Sequence, residues 1–232
     1  DHVRFAQRAP RRPGPALDIG CGGGSFLHAL ERYGAEVVGA DISTQAAGTA
    51  WRAYGIPAAC ACLPRMPFRP ESFALVTMFH VLEHLPDPVS ALEEAWRTIA
   101  PGGRLVVQVP NAASWQFLLL GERWSGLDVP RHLIDFRAED LEGLLEHCGF
   151  EVVRRKFFSL RDNPAGLATS LAPGLEPVAR KVRGMRESPA GQLLRNLLYF
   201  GLVVAAVPFT LLEAAGSAGS TIMIEAARRG EA

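Results

Sequence analysis

The stretch "LDIGCGGGSFL", residues 17–27, decides the fold. "LDI" closes an apolar run, "SFL" opens an amphipathic one, and Gly20, Gly22 and Gly24 punctuate the turn between them. Glycines at alternate positions let the backbone turn tightly and come close to a ligand, and the helix that follows offers N–H groups with no intrahelical partner. Outward from this turn, apolar strand-like runs alternate with amphipathic helical ones. Strands are expected at 16–19, 36–41, 58–62, 73–79 and 104–109, and helices at 25–33, 44–54, 89–99 and 138–148. That alternation predicts right-handed crossovers and an α/β fold, a mostly parallel sheet with helices on both faces. "APGG" (100–103) reads as a turn between helix and strand, and residues 8–16 as a Pro/Arg-rich loop after a short polar lead. Two later runs, 151–160 and 220–227, read as further strands, the second antiparallel between the first and the fifth strand.

Of the 232 residues 48% are hydrophobic, enough for one sizeable core, so a single domain over 1–232 is expected, with 160–218 as a helical insertion or lid. Lys plus Arg and Asp plus Glu both number 24, which argues against a nucleic-acid partner. Cys21, Cys60, Cys62 and Cys148 show no C-x-x-C spacing and are too few for a disulfide framework, as in a reducing cytoplasm. No secretory signal is visible, so a cytoplasmic location is expected. Residues 197–212, "LLYFGLVVAAVPFTLL", carry no charge. Sixteen residues are short for a membrane span, and pairing of the two strands that flank the insertion would leave both its ends on one side of a bilayer. Buried or lid packing is expected, with a helix dipping into a membrane surface as the alternative, and Pro208 as a kink.

Three readings compete for the glycine turn. It is a sharp strand-to-helix connection, or a dinucleotide fingerprint of an NAD(P)-binding oxidoreductase with Asp41 on the ribose, or a site for another nucleoside-bearing cofactor. The third small residue of the dinucleotide pattern would fall on Ser25, and Asp18 has no role beside a pyrophosphate, since like charges repel. A carboxylate there suits a ligand with a positive group, such as a methionyl amino group.

Together with "VVGADIS" (37–43), "MPFRPESFALV" (66–76) and "APGGRLVVQVPN" (100–111), the glycine stretch resembles the class I S-adenosylmethionine-dependent methyltransferases over about 15–160 and the last strand. The resemblance implies a Rossmann-like seven-stranded sheet with an antiparallel last strand, S-adenosylmethionine as cofactor and S-adenosylhomocysteine as product. It implies that the loop of Asp18, Gly20, Cys21, Gly22 and Gly24 holds the methionyl part, that Asp41 accepts both ribose hydroxyls, that Ile42 packs on adenine, and that Phe79 borders the cofactor. Many relatives carry Asp where this chain has Cys62, and another where it has Ala74; adenine would then meet backbone groups near Cys62 and Leu63. Those departures keep a cofactor-binding module without catalysis as an alternative.

"FHVLEHLPDP" (79–88) contains His80, Glu83 and His84 in the H-x-x-E-H order of an inverted zinc-protease motif. Such a protease needs a long helix, and Pro86 and Pro88 forbid one. At the carboxyl edge of the fourth strand these residues instead face the ligand crevice of an open sheet. Methyl transfer to a hydroxyl needs an acceptor held in line and a base for its proton, and His84 or His132 suits that role, with His80 beside them. The segment also resembles the E-x-x-E-H of ubiquinone-pathway O-methyltransferases, which implies a divalent metal on His80, Glu83, His84 and His132 as the alternative. The loop 110–136 supplies Asn111, Trp115, Trp124 and Arg131 as candidate acceptor contacts for a small molecule, apolar or lipid-linked. His2, His28 and His147 read as surface residues.

Overall fold

The computed structural model describes residues 2–9, 12–185 and 188–230; the middle of the Pro/Arg-rich loop and residues 186–187 of the insertion lie outside them. Seven strands form one sheet: β1 (Ala16–Ile19), β2 (Val37–Asp41), β3 (Ala58–Cys60), β4 (Phe73–Phe79), β5 (Ile99–Pro110), β6 (Phe150–Lys156) and β7 (Thr221–Arg228). Their order is β3-β2-β1-β4-β5-β7-β6, with β7 antiparallel. Parallel pairing joins β3 to β2, β2 to β1, β1 to β4 and β4 to β5. The helices are α1 (His2–Gln7), α2 (Ser25–Glu31), α3 (Thr44–Tyr54), α4 (Pro88–Thr98), α5 (Trp115–Leu120), α6 (Ala138–His147), α7 (Asp162–Leu171), α8 (Pro177–Val182) and α9 (Pro189–Ala215). Strands β1 and β4 are buried along nearly their whole length, as the continuous apolar runs "ALDI" and "FALVTMF" require of a sheet covered on both faces.

Two sequence expectations change. The polar lead is a helix, and its Phe5 and Ala6 join Leu27, Leu30, Ile56, Leu75 and Met223 in the core; six residues are too few to display helical periodicity. The "APGG" turn is absorbed into β5, which starts at Ile99 and shifts register between Phe73↔Ile99 and Leu75↔Arg104. Glycine makes that irregularity: Gly102 has φ 76°, and a Cβ on Gly103 would lie 2.7 Å from Ile99 Cγ2 and 2.8 Å from the Ala100 carbonyl oxygen.

The chain divides into two compact units. The first comprises residues 1–109, 132–155 and 223–232; the second, 110–131 and 156–222, is helical and takes in more than the expected 160–218 segment. Within the first, buried Glu225 on β7 holds two neighbouring strands. It accepts from Arg154 Nε on β6 at 2.9 Å and pairs with Arg104 Nε on β5 at 3.4 Å. Arg154 also lies over the Phe5 ring, 3.8 Å from its centroid, and donates to the Phe5 carbonyl oxygen, so the same cluster fastens α1. Removing one member leaves buried charge unpaired, which costs about 3–5 kcal/mol. Glu225→Ala should lower the unfolding free energy by that amount in denaturant titrations, and an unchanged midpoint would contradict the clamp.

Candidate active site

Beyond β1 the chain turns through Gly20, Gly22 and Gly24 with φ of 78°, 53° and 81°, a region that L side chains rarely adopt. Two of the three are also hemmed in. A Cβ on Gly20 would lie 2.5 Å from Val81 Cγ2, and one on Gly24 2.8 Å from Ala50 Cβ. Gly22 faces open space, with nothing within 4 Å of the same position. Asp41, at the end of β2, clamps the loop: its Oδ2 accepts from the Gly22 N–H and its Oδ1 from the Ser43 N–H, both at 2.8 Å. Each carboxylate oxygen keeps a second lone pair for a hydroxyl. Ile42 beside it is 73% exposed.

Asp18 lies beneath the loop, buried, with Oδ1 accepting from the Thr77 hydroxyl at 2.6 Å. Burial pushes its carboxyl up to about 7; the Thr77 bond opposes that rise and the Asp41 charge adds to it. Burial, then the charges of Asp18 and Asp41, pushes the Cys21 thiol up to about 12, so Cys21 packs as a neutral group under the loop. On the β3 side Cys60, Cys62, Leu63, Pro64 and Met66 line a groove of about 560 Å³. Its wall is pinned from α4, since Glu94 Oε1 accepts from the Met66 N–H at 2.8 Å and Arg97 Nη2 donates to the Phe68 carbonyl oxygen at 3.0 Å.

On the other side β4 ends at Phe79, whose ring meets His2 and Phe26 edge-on at centroid distances of 4.8 and 4.9 Å. His80 follows with φ 56°, an uncommon conformation for a side-chain-bearing residue. A partly buried polar chain holds it there. His2 Nε2 lies 2.7 Å from Gln108 Oε1, Gln108 Nε2 lies 2.7 Å from His80 Nε2, and His80 Nδ1 lies 3.1 Å from Glu83 Oε1. An amide nitrogen only donates, so in this arrangement His80 accepts at Nε2 and donates from Nδ1 to Glu83. His2, expected at the surface, is thus the outer end of a chain of hydrogen bonds: Gln108 on β5 reaches it.

Leu82–His84 forms a single 3-10 turn, and the following α4 starts at Pro88 under the Asp87 cap, so no long helix carries this motif. The Glu83 carbonyl oxygen accepts from the N–H groups of Leu133 and Ile134 at 2.8 and 3.3 Å, which brings His132 back to this turn. The rings of His84 and His132 lie 4.7 Å apart. Glu83, His84 and His132 each offer a ligand atom, all within 4.8 Å of one another. His80 stands outside this trio, its ring engaged by Gln108 and Glu83. Glu83 is fully buried, and its Oε2 has no hydrogen-bond partner among the described residues.

In the helical unit Asn111 is buried, donating from Nδ2 to the Gly219 carbonyl oxygen at 2.8 Å and accepting from the Ala113 N–H at 2.9 Å. Trp124 is buried against Phe117, with ring centroids 5.5 Å apart, whereas Trp115 is half-exposed beside Phe209. Arg131 is exposed and pairs with Asp128 at 2.5 Å. Asn111 and Trp124 therefore brace the loop, while Trp115 and Arg131 present surface.

Residues 1–155 match the model of a family described as "Methyltransferase domain". The chain belongs to the methyltransferase-domain family. The ubiquinone biosynthesis O-methyltransferase of Methylococcus capsulatus is 33% identical over 131 residues, 53% of this chain and 55% of that protein. The enzyme of the same name from Pseudomonas fluorescens is 29% identical over 175 residues, 69% of this chain and 73% of its own. This chain thus spans little more than half the length of the first of these curated relatives. A solved S-adenosylmethionine-dependent methyltransferase from Archaeoglobus fulgidus superposes with TM-score 0.62 at 18% identity, covering 97% of this chain and 90% of that one, which establishes the shared fold.

A methyltransferase of this class binds a sulfonium cofactor with a charged amino group, and a cation beside Asp18 favours its ionised form. Sequence reading missed Gln108, His2 and Glu94. The polar Gln108 inside the apolar run "LVVQVP" was the available signal, because a buried amide needs partners. A carboxyl with a raised folded pKa holds its proton more tightly folded than unfolded. Its ionised form therefore costs stability: the cost is absent in acid, grows as pH rises and is complete above about 7. Asp18→Asn should raise the melting temperature by an increment that grows from about pH 4 to about pH 7 and is constant above that. A pH-independent increment in scanning calorimetry would contradict the burial of an acid at this position.

Proposed function

We propose that this chain transfers the methyl group of S-adenosylmethionine to a hydroxyl oxygen of a small organic acceptor. The observation that carries the reading is the contact between the two halves of the crevice. Val81, whose side chain packs on Gly20 of the cofactor loop, immediately precedes the turn that bears Glu83 and His84 and collects His132. That contact supports a reading in which base and methyl donor meet at one sheet edge. The sulfonium is already a good leaving group, so positioning and proton removal are what the protein adds. The acceptor oxygen attacks the methyl carbon as the carbon–sulfur bond breaks, its electron pair passing to sulfur to give neutral S-adenosylhomocysteine. His84 or His132 takes the hydroxyl proton. Buried Glu83 stabilises the imidazolium that results, and His80 with Gln108 orients Glu83. The names of the curated relatives, O-methyltransferases of ubiquinone biosynthesis, support an oxygen acceptor on a small molecule.

A second reading rests on the orphaned Glu83 oxygen together with the two imidazoles, a donor set that fits a divalent ion such as zinc or iron. Glu83, His84 and His132 would hold the ion, which would lower the pKa of the acceptor hydroxyl as a Lewis acid. The residues and their proximity serve either chemistry. Of His84→Ala and His132→Ala, the one that removes the base should lower kcat about 10²–10⁴-fold on hydroxylated acceptors while leaving S-adenosylmethionine affinity within about twofold. Undiminished transfer in both variants would refute the roles assigned. Activity lost to a chelator and restored by zinc or iron would select the metal reading, and chelator-resistant activity the proton reading.

A further inference from the structure

The uncharged run is the middle of α9, a 27-residue helix about 40 Å long. Of the expected buried or lid packing, burial is corrected: only 17% of its most apolar 18-residue window, of mean hydropathy 2.0, is buried. The distribution of side chains around the helix is inverted. At about 100° per residue, the exposed Leu194, Leu197, Leu198, Phe200, Val204 and Leu211 fall within an arc of about 160° that contains no charge. The opposite side carries the polar groups. Tyr199 bonds Thr169 of α7 at 2.9 Å, and Thr210 and Glu213 are fully buried, with Glu213 accepting from the backbone N–H and the side-chain amide of Gln116 at 3.0 and 2.9 Å. These bonds fix which side of α9 faces outward.

We propose that α9 lies in the surface of a lipid bilayer that carries anionic headgroups, with its aliphatic arc in the acyl boundary. Charge selects this occupant. Between residues 172 and 212 the sequence has five Arg or Lys against two Glu, in a chain whose totals balance at 24 and 24. Exposed Lys181 and Arg183 stand at the end of α8, which Arg180 ties to Asn196 of α9 through a side-chain hydrogen bond. Cations flanking an aliphatic face suit anionic lipid. A protein interface would more commonly present Trp, Tyr and Arg at its centre. Topology keeps the helix at the surface rather than across the membrane: the segment leaves the sheet at β6 and returns to it at the neighbouring β7, and ten-residue α7 is too short to supply a second crossing. The proposal goes beyond methyl transfer and does not depend on it.

The test is co-sedimentation of the full chain with vesicles of phosphatidylcholine alone and of equimolar phosphatidylcholine and phosphatidylglycerol. The chain should partition more strongly into the anionic vesicles. Lys181→Gln with Arg183→Gln should lower that partition about fivefold per cation removed, and Leu197→Gln with Phe200→Gln should lower it on both compositions. Far-UV circular dichroism and S-adenosylmethionine binding identify correctly folded variants. No partition of the wild type into either vesicle overturns the proposal, as does partition that both variant pairs leave unchanged. Concentration-dependent dimerisation broken by the Leu197 and Phe200 changes, without vesicle binding, would overturn it in favour of a second copy of the chain.

Discussion

The left-handed glycine turn between β1 and α2 is the constraint on which the remaining structure depends. Gly20 and Gly24 need their positive φ and also the absence of a Cβ, one because of Val81 and the other because of Ala50. Asp41 then fixes Gly22 from the neighbouring strand. The end of β2 with the α3 that follows it, and Val81 some forty residues further on, are thereby referred to one backbone turn. A substitution in that turn would strain the fold and displace both Asp41 and the turn that bears the histidines.

Burial at the sheet edge has a chemical consequence. Asp18 and Glu83 are both carboxyls removed from water, but their surroundings differ. Burial, with a smaller push from the Asp41 carboxylate, raises the affinity of Asp18 for a proton against the opposing bond from the Thr77 hydroxyl. Glu83 meets His80 on one oxygen, and the other, beside two imidazoles, has no hydrogen-bond partner among the described residues. A buried polar atom left unpaired costs about 1–3 kcal/mol, and such a cost is tolerated most readily where a proton or cation completes the site in use. The chain His2–Gln108–His80–Glu83 holds that atom in place from as far as α1.

The parallel sheet was legible because its strands are continuous apolar runs separated by amphipathic helices, and β1, β4 and α3 fall where periodicity places them. Asp41 was legible from its place at a strand end after "GA". His2 was not, because its partner Gln108 is 106 residues away and only the tertiary fold brings them together. His132 could be named but its approach to His84 depends on backbone bonds to Glu83 that no spacing encodes. The apolar segment was misjudged for a definite reason. The uncharged run is bounded by Arg195 and Glu213, yet a helix carries polar side chains on one side without interrupting an apolar arc on the other.

Isothermal titration calorimetry decides whether the glycine turn takes a sulfonium nucleoside. Saturable binding of S-adenosylmethionine and S-adenosylhomocysteine is expected, and none of NADH. Binding of NADH without either adenosyl compound would contradict it.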